Sequence, residues 1–263
     1  MSEIISSKKN SAIKYLRKLY RARNRRKEGK FLLEGSRIVQ HAVKKEMLIS
    51  RVFVSADFDD QSLIKKLKQS DCQLITISRE LLDEIADTVS PQGIIAIADK
   101  PNYQLSDIWN NSQDSLLLLD RIQDPGNMGA LIRTAAAAGV KGIIALKGCV
   151  DIYNLKVLRA TMGAIFNIPI CTRIDVTKIR KKAKELEHQI VCADLSGPKF
   201  HYEINFSKKT IFVIGNEAQG ISQEILSLSD QIVKIPLNGA IESLNAAVSG
   251  GIILYEYLRQ QKN

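Results

Sequence analysis

The clearest pattern in the sequence is an alternation of short apolar runs with longer segments in which apolar residues recur at helical spacing. Residues 116–119 form a continuous apolar run, which is typical of a strand buried on both faces of a parallel sheet. The same criteria predict further strands at 142–146, 190–193 and 211–214, and helices at 130–138, 154–163 and 176–188. This alternation predicts an α/β domain with a parallel sheet covered by helices on both faces, in which ligands bind at the carboxyl ends of the strands.

A smaller set of alternating elements precedes this domain. Strands are predicted at 31–33, 51–54, 73–77 and 93–98, with helices at 36–45, 61–69 and 79–87. The pattern indicates a small α/β domain, and its histidine, His41, fits a surface or packing residue better than a catalytic one. We therefore predict a binding module. Residues 100–114 are rich in Asn, Ser, Asp and Gln, which is typical of a linker.

The positive charge of the chain is concentrated at its amino terminus. The formal net charge is +10, and residues 1–30 contribute +9 of it, from eleven Lys and Arg against Glu3 and Glu28. Residues 6–26 are predicted to form a basic helix with a thin apolar stripe. Such a helix could be a solvated element docked through its stripe, but the concentration of charge favours an arm that binds nucleic-acid phosphates. The candidate RNA-binding side chains are Arg17, Arg21, Arg23, Arg25 and Arg26.

The cysteines and the amino terminus bear on metal binding and compartment. Cys72, Cys149, Cys171 and Cys192 form no CxxC pair, and none lies near a histidine at zinc-ligand spacing. They are interpreted as buried free thiols in a reducing compartment, and no metal site is predicted. The amino terminus lacks the apolar core of a secretory signal, and no apolar run approaches the roughly 18 residues of a membrane span. We expect a soluble, cytoplasmic protein with no membrane partner.

The stretch from 211 to 260 contains two loops shaped by glycine. A predicted strand runs into Gly215-Asn216-Glu217 and on to Gly220, and a second short strand leads through a turn at 236–239 into a long helix that is predicted to open at 242–245. The first loop has the GxxxxG spacing of a phosphate-binding loop, but Ile221 occupies the lysine position, which excludes an NTPase. Residues 124–129 lack the GxGxxG spacing of a dinucleotide site.

Three segments stand out in order along the carboxyl-terminal half: LDRIQDPGNMGALIRTAAAAG, VIGNEAQGIS and KIPLNGAIESLNAAV. They resemble the three ordered motifs of the SpoU (TrmH) family of RNA ribose 2'-O-methyltransferases, part of the SPOUT superfamily. Ala246, where valine is common, is a mild departure. FLLEG at Phe31 and SPQGIIAIA at Ser90 are similar to the L30e-like substrate-binding domain of many members. The predicted organisation is a basic helical arm at 1–26, an L30e-like RNA-binding domain at 27–99, a linker at 100–114 and a SpoU methyltransferase domain at 115–263.

The resemblance implies a SPOUT-type carboxyl-terminal domain, in which the chain threads a trefoil knot and holds S-adenosylmethionine (AdoMet) in the knotted loops. It also implies a homodimer and an RNA substrate. Ribosomal RNA is favoured over transfer RNA, by analogy with rRNA enzymes that carry a similar additional domain. The positions that match cofactor-binding residues of the family, or lie in the turn beside them, are Gly215, Ile235, Leu237 and Leu244.

The resemblance further implies a polar catalytic set, which consists of Asn127, Arg133, Glu217, Ser243 and Asn245. Asn127 and Ser243 also have a simpler interpretation as helix caps. Arg133 lies in the first turn of its predicted helix, where the helix dipole disfavours a cation, and this favours a functional role. Arginine is often proposed as the base in this family, but its pKa above about 12 favours phosphate binding and stabilisation of the developing alkoxide, with Glu217 orienting it.

The predicted function is AdoMet-dependent 2'-O-methylation of a ribose in structured RNA. Three alternatives stay open: a tRNA 2'-O-methyltransferase, a SPOUT enzyme that methylates a base, and a non-catalytic RNA-binding or ribosome-assembly protein. The intact polar set argues against the last of these.

Overall fold

Short apolar runs become strands and amphipathic segments become helices along most of the chain. The computed structural model describes residues 4–109, 115–239 and 241–262. The helices are α1 (Ser11–Lys18), α2 (Ala22–Glu28), α3 (Ser36–Lys44), α4 (Gln61–Lys68), α5 (Arg79–Ile85), α6 (Leu105–Ile108), α7 (Pro125–Ala137), α8 (Leu155–Thr161), α9 (Val176–Glu185), α10 (Gln223–Leu226) and α11 (Ala246–Lys262). The strands are β1 (Lys30–Glu34), β2 (Ile49–Ser55), β3 (Gln73–Ile77), β4 (Ile94–Asp99), β5 (Leu116–Leu119), β6 (Gly142–Leu146), β7 (Ile170–Ile174), β8 (Gln189–Ala193), β9 (Lys199–Phe200), β10 (Thr210–Ile214) and β11 (Gln231–Lys234).

The described chain falls into two compact units. The first contains the chain up to Asn102 together with Tyr153–Phe166, and the second contains the remainder. Helix α8, which the predicted boundaries assign to the methyltransferase domain, belongs to the first unit. Residues 110–114 of the predicted linker and the first three residues of the predicted arm lie outside the described residues. The other part of the linker includes α6 and Trp109, which is buried in the core of the second unit. The predicted domain boundaries stay predictions.

The first unit is built on a four-stranded sheet in the order β1-β4-β2-β3. Strand β4 pairs antiparallel with β1 and β2, whereas β2 and β3 are parallel. The strands predicted from the apolar runs are all present, with ends that differ by at most two residues. Helices α3, α4 and α5 contribute Val39, Leu63 and Leu82 to the buried core. The prediction of a small α/β domain is confirmed.

The basic segment forms two short helices, so the prediction of one continuous helix at 6–26 was wrong. Asn24 Nδ2 donates a hydrogen bond to the carbonyl of Lys18 at 2.8 Å, and Arg25 Nη1 donates to the carbonyl of Leu19 at 3.0 Å. These side chains occupy carbonyls that a continuous helix would pair with backbone amides. Helix α1 therefore ends at Lys18, and the chain turns before α2.

The apolar stripe of the basic segment faces inward and most of its arginines face outward. Ile13, Leu16 and Leu19 have no exposed surface, so they anchor α1 in the first unit. Arg25 is 5% exposed, and its guanidinium donates hydrogen bonds to backbone carbonyls. Unlike the other candidate RNA-binding arginines, it is therefore buried and occupied within the protein. The arginines that remain exposed are Arg17, Arg21, Arg23 and Arg26.

The second unit is built on a seven-stranded sheet in the order β7-β6-β5-β10-β8-β11-β9. Every strand pair in it is parallel. Helices cover both faces. On one face, Ile211 and Val213 of β10 pack in a cluster with Ile179 of α9. On the other face, the ring of Phe212 lies 5.1 Å from that of Tyr257 in α11. This arrangement confirms the predicted parallel α/β fold.

Candidate active site

Strands β5, β10, β8 and β11 are neighbours in the second sheet and all run in the same direction. The loops that follow them therefore meet at one edge, which is where ligands bind in parallel sheets. A cavity of about 380 Å³ lies at this edge. Glu217 and Ser243 of the predicted catalytic set contribute to its wall. All of the residues predicted to bind the cofactor line it as well, namely Gly215, Ile235, Leu237 and Leu244.

The wall of this cavity carries negative side chains. Asp194, Glu217 and Glu242 line it, and none of its described lining residues is a lysine or an arginine. Such a wall attracts a cation and repels a phosphate. The cavity therefore suits a small ligand with positive charge. Asp194 and Glu242 were not predicted as site residues. The available signal for Asp194 was its position directly after a strand, at the carboxyl edge of the sheet.

The loop after β10 folds back on itself and requires glycine at its start. The backbones of Asn216 and Gly220 exchange hydrogen bonds of 3.1 and 2.9 Å. A Cβ atom on Gly215 would lie 2.5 Å from the carbonyl carbon of Gly220 and 2.6 Å from the amide nitrogen of Ile221. Because these are backbone atoms, they cannot move aside without opening the loop. Glycine at 215 is needed for this close approach.

Asp120 and Arg121, to which no role was assigned from the sequence, hold the same loop in place. The buried carboxylate of Asp120 accepts a hydrogen bond from the amide of Ser222 at 2.7 Å. Arg121 Nη1 donates to Gln219 Oε1 at 2.8 Å, and the carbonyl of Arg121 accepts from Asn216 Nδ2 at 3.0 Å. The residues that follow β5 thus fix the loop that follows β10. The signals for them in the sequence were their position at a strand end and their place in the first of the three motifs.

Asn127, Glu217 and Asn245 of the predicted catalytic set form one chain of hydrogen bonds. Asn245 Nδ2 donates to Asn127 Oδ1 at 2.8 Å, and Asn127 Nδ2 donates to Glu217 Oε1 at 2.5 Å. The two hydrogen bonds join residues that are 118 and 90 positions apart in the sequence. Asn127 uses both ends of its amide, so its side chain is fixed between the other two. Glu217 is thereby oriented where it contributes to the cavity wall.

Helix α7 begins at Pro125, so the predicted start at 130 was wrong. Proline is suited to the first position of a helix, and Asp124 caps α7 by accepting a hydrogen bond from the amide of Asn127 at 2.7 Å. Asn127 is therefore not the cap. Arg133 lies in the third turn of α7, where the helix dipole does not disfavour it. It is exposed, and it forms no hydrogen bond or ion pair with any described residue, Glu217 included.

Helix α11 begins at Ala246, after the predicted opening at 242–245. Asn245 Oδ1 accepts a hydrogen bond from the amide of Ala247 at 2.9 Å and therefore caps the helix. Ser243 is exposed and precedes this cap, so it is not the capping residue. Asn245 thus has two roles, because its Oδ1 caps α11 and its Nδ2 donates a hydrogen bond to Asn127.

The cysteines are free, as predicted, but only two of them are fully buried. Cys171 and Cys192 are buried, whereas Cys72 and Cys149 are half-buried. Burial raises the pKa of Cys149 and Cys171 to about 11 and that of Cys192 to about 12. These three thiols are protonated at neutral pH, so they are not nucleophiles. The described residues contain no cluster of His, Cys, Asp or Glu able to hold a metal ion, and no helix among them is long and apolar enough to span a membrane.

Comparison with known proteins assigns the family. The profile of the SpoU rRNA Methylase family matches residues 114–255, which is more than half of the chain. The chain belongs to this family. This match confirms the resemblance to the SpoU family that the three motifs indicate. The profile of the MRM3-like substrate binding domain matches residues 10–96, which include most of the basic segment.

Relatives and solved structures cover nearly the whole SpoU chain. The Bacillus subtilis 23S rRNA (guanosine(2553)-2'-O)-methyltransferase RlmP is 31% identical, over 95% of this chain and 97% of its own. The AdoMet-bound rRNA methyltransferase from Sinorhizobium meliloti has a TM-score of 0.89 at 28% identity and covers 98% of both chains. The SpoU methyltransferase AviRb from Streptomyces viridochromogenes, in complex with AdoMet, also has a TM-score of 0.89, at 27% identity, over 97% of this chain and 99% of its own.

Proposed function

We propose that this SpoU protein is an AdoMet-dependent RNA ribose 2'-O-methyltransferase that acts on ribosomal RNA. The observation that carries the proposal is a carboxylate-lined cavity whose wall residue Glu217 is held by Asn127 and Asn245. Ribosomal RNA is favoured because RlmP, which resembles this chain along almost its whole length, acts on a guanosine of 23S rRNA.

The residues of the cavity fit AdoMet. This cofactor supplies an activated methyl group on a positively charged sulfonium, and because its ammonium and carboxylate groups offset each other it carries a net positive charge. The carboxylates of Asp194, Glu217 and Glu242 provide the complementary charge. Close packing of the backbone at Gly215 shapes the loop beside the ligand. The side chains and backbone that would hold it include Gly215, Ile235, Leu237 and Leu244.

The residues around the cavity have to align the ribose hydroxyl with the methyl group and stabilise the charge that develops on its oxygen. Asn127, fixed by hydrogen bonds at both ends of its amide, positions the ribose or its phosphate. Asn245 holds Asn127 and caps α11 in the same place, and Ser243 lies just before that cap. Arg133, exposed and charged, binds the adjoining phosphate and stabilises the developing alkoxide.

Arg133→Lys should lower kcat at least about tenfold and leave AdoMet affinity unchanged, because lysine keeps the charge but lacks the planar fork that binds two phosphate oxygens. Methyl transfer to RNA measured against pH, together with calorimetric titration of AdoMet, checks this. Arg180→Lys on α9, also at an exposed arginine, is the matched control. Near-full activity of Arg133→Lys at neutral pH would contradict a role that needs the guanidinium.

We propose that the SpoU protein is a homodimer. Helix α11 exposes Val248 and Tyr255, at 51% and 52%, and these residues lie two turns apart on one face of the helix. A second copy packed on this face would bury both side chains. Light scattering of the purified protein should give the mass of a dimer, and a monomer would contradict the proposal.

We also propose that the segment between β11 and α11 threads a trefoil knot. This segment leaves β11, which pairs with β8, and leads to α11, which packs on the neighbouring strand β10. Ile235 and Leu244 at its two ends line the same cavity. An experimentally traced backbone that is unknotted would refute the proposal.

Replacing the exposed arginines of the basic segment should weaken RNA binding and flatten its salt dependence. The slope of log affinity against log salt should fall by about 0.7 to 0.9 for each phosphate that the protein no longer neutralises. Filter binding at several salt concentrations measures this, and AdoMet affinity should not change. The variant carries glutamine in place of Arg17, Arg21, Arg23 and Arg26.

Arg25→Gln is the matched control for this experiment. Because Arg25 is buried and bonded to backbone carbonyls, its replacement should lower the melting temperature and leave the salt slope unchanged. An unchanged slope in the quadruple variant would show that the basic segment does not contact RNA phosphates.

The choice of ribosomal RNA is tested by mapping 2'-O-methyl groups in RNA from cells with and without this protein. We expect one site in ribosomal RNA to lack its methyl group when the protein is absent. A methyl group missing from transfer RNA, with ribosomal RNA unchanged, would contradict the proposed substrate.

A further inference from the structure

The first unit contains a cavity of its own, of about 310 Å³. Its walls come from α3, from the loop between α5 and β4, and from the carboxyl-terminal end of α8. We propose that this cavity binds one unstacked nucleotide of the RNA substrate, with the base between apolar walls and the phosphate against arginines. The proposal rests on the proposed RNA methyltransferase function and adds a second point at which the protein holds its substrate.

The cavity offers faces on which a base can stack. Ile38, Leu158 and Met162 contribute apolar side chains, and His41 contributes a planar ring. Gly163 lets the backbone approach this ring, since a Cβ there would lie 2.5 Å from His41 Nδ1. Proteins that recognise single-stranded RNA stack unpaired bases on such rings and apolar side chains. The walls are therefore suited to the two faces of a nucleobase.

The cavity also offers donors for a phosphate or a base oxygen. Arg159 lines it and donates from Nη2 to Asp87 Oδ2 at 2.8 Å, while its Nη1 is buried without a hydrogen-bond partner among the described residues. Arg37 lines the cavity as well and is exposed, with no partner in the described chain. A buried donor left without an acceptor is unfavourable, and an anionic oxygen would satisfy it with a strong hydrogen bond.

The loop that forms one wall is held in a fixed conformation. The buried carboxylate of Glu34 accepts hydrogen bonds from the amides of Asp87 and Thr88 at 2.8 and 2.9 Å, and from the Thr88 hydroxyl at 2.6 Å. Further along the loop, Gln92 Oε1 accepts from the amide of Ser36 at 2.8 Å. These neutral donors stabilise the Glu34 carboxylate, and the two arginines outnumber it among the charged residues that line the cavity.

Size and charge favour a single nucleotide as the occupant. The volume of about 310 Å³ lies at the lower end of the range of about 300 to 1,000 Å³ for small-ligand sites, so the cavity admits one nucleotide and excludes a duplex. The same unit carries the exposed arginines of α1, α2 and the turn between them, which supply the charge that attracts an RNA backbone.

The test uses the full-length protein saturated with AdoMet, so that nucleotides cannot enter the cofactor cavity. The four ribonucleoside 5'-monophosphates are titrated by calorimetry, with ribose 5-phosphate as the probe that lacks a base. We expect at least one nucleotide to bind, and to bind at least about tenfold more tightly than ribose 5-phosphate, because stacking of the base contributes to affinity.

Variants in one loop locate the binding. Ser90→Trp fills the cavity from its rim and should weaken nucleotide binding at least about tenfold, by occupying the place where the base stacks. Val89→Trp is the matched control, because Val89 is fully exposed and does not line the cavity. With RNA as substrate, Ser90→Trp should raise KM and leave AdoMet affinity unchanged. Arg37→Gln should weaken the binding of nucleotide and of ribose 5-phosphate together.

The proposal is overturned if no nucleotide binds, if ribose 5-phosphate binds as tightly as the nucleotides, or if both tryptophan variants bind them equally. The proposed methyltransferase function is tested independently of this cavity. If the protein transfers no methyl group to any RNA, the nucleotide titration still decides whether this cavity is a nucleotide site.

Discussion

Gly215→Ala should abolish AdoMet binding and, with it, methyl transfer. The added Cβ would lie 2.5 Å from the carbonyl carbon of Gly220 and 2.6 Å from the amide nitrogen of Ile221, so the loop after β10 would have to open. Overpacking of this kind costs about 1–3 kcal/mol or more, and backbone atoms are less able to yield than side chains. Opening also moves Glu217, which contributes a carboxylate to the cavity wall. Calorimetric titration of AdoMet measures the effect, and circular dichroism shows whether the domain remains folded.

Gly251→Ala is the matched control for this change. Its Cβ would meet Thr134 Cγ2 at 3.9 Å, an ordinary contact, and alanine is favoured over glycine within a helix by about 1 kcal/mol. This variant should bind AdoMet like the unaltered protein. If Gly215→Ala also kept full AdoMet affinity, the cavity at the ends of β10 and β11 would not be the cofactor site.

Asn127→Ala should lower kcat about 100-fold, in the range seen when one oriented polar group is removed from an active site. The change removes the hydrogen bonds to both Glu217 and Asn245, so Glu217 loses the side chain that orients it, whereas Asn245 is still held by its bond to the amide of Ala247. AdoMet affinity should fall less than kcat, because Asn127 itself does not line the cavity and the carboxylates of Asp194 and Glu242 remain in its wall. Single-turnover methyl transfer at saturating AdoMet separates the two effects.

Gln123→Ala tests whether any polar truncation in this loop has the same effect. Gln123 is exposed and forms no hydrogen bond with the described residues, so its variant should keep full kcat. Equal rates for the two variants would contradict the role of Asn127. A loss confined to AdoMet affinity would make Asn127 a cofactor-binding residue instead.

The parallel sheet was predictable because its central strands are buried on both faces. Leu116–Leu119 and Gly142–Leu146 are buried at every position and leave uninterrupted apolar runs. Strand β7 escaped prediction because Thr172 and Arg173 are exposed, which breaks its apolar run. Strand β9 is only two residues long and is defined by its pairing with β11. Edge strands of this kind depend on their neighbours more than on their own composition.

Helix ends were less predictable, for two different reasons. The start of α7 has a local signal in the sequence, because Asp124 followed by Pro125 is typical of a helix cap and a first helical position. The break after α1 had no such signal, because it depends on side-chain hydrogen bonds from Asn24 and Arg25 to carbonyls near Lys18. Periodicity describes which face of a helix is buried and says little about where side chains replace backbone partners.

The sequence predicted only residues of the candidate site that lie in the three motifs. The resemblance identified Asn127, Glu217 and Asn245, but their hydrogen-bonded chain joins distant loops and has no counterpart in local spacing. Asp194 lies outside the three motifs, so its position directly after β8 was its only signal in the sequence. His41 was interpreted as a surface or packing residue, and its place in a cavity depends on α8, which is far along the chain.

The most direct test of methyl transfer to a ribose is mass spectrometry of nucleosides from ribosomal RNA incubated with the protein and AdoMet that carries a deuterated methyl group. We predict a single labelled 2'-O-methylribonucleoside, which forms about 100-fold more slowly when the RNA is incubated with the Asn127→Ala variant. Label on a base, or no label in ribosomal RNA, would contradict the assignment of this SpoU protein as a ribosomal RNA ribose methyltransferase.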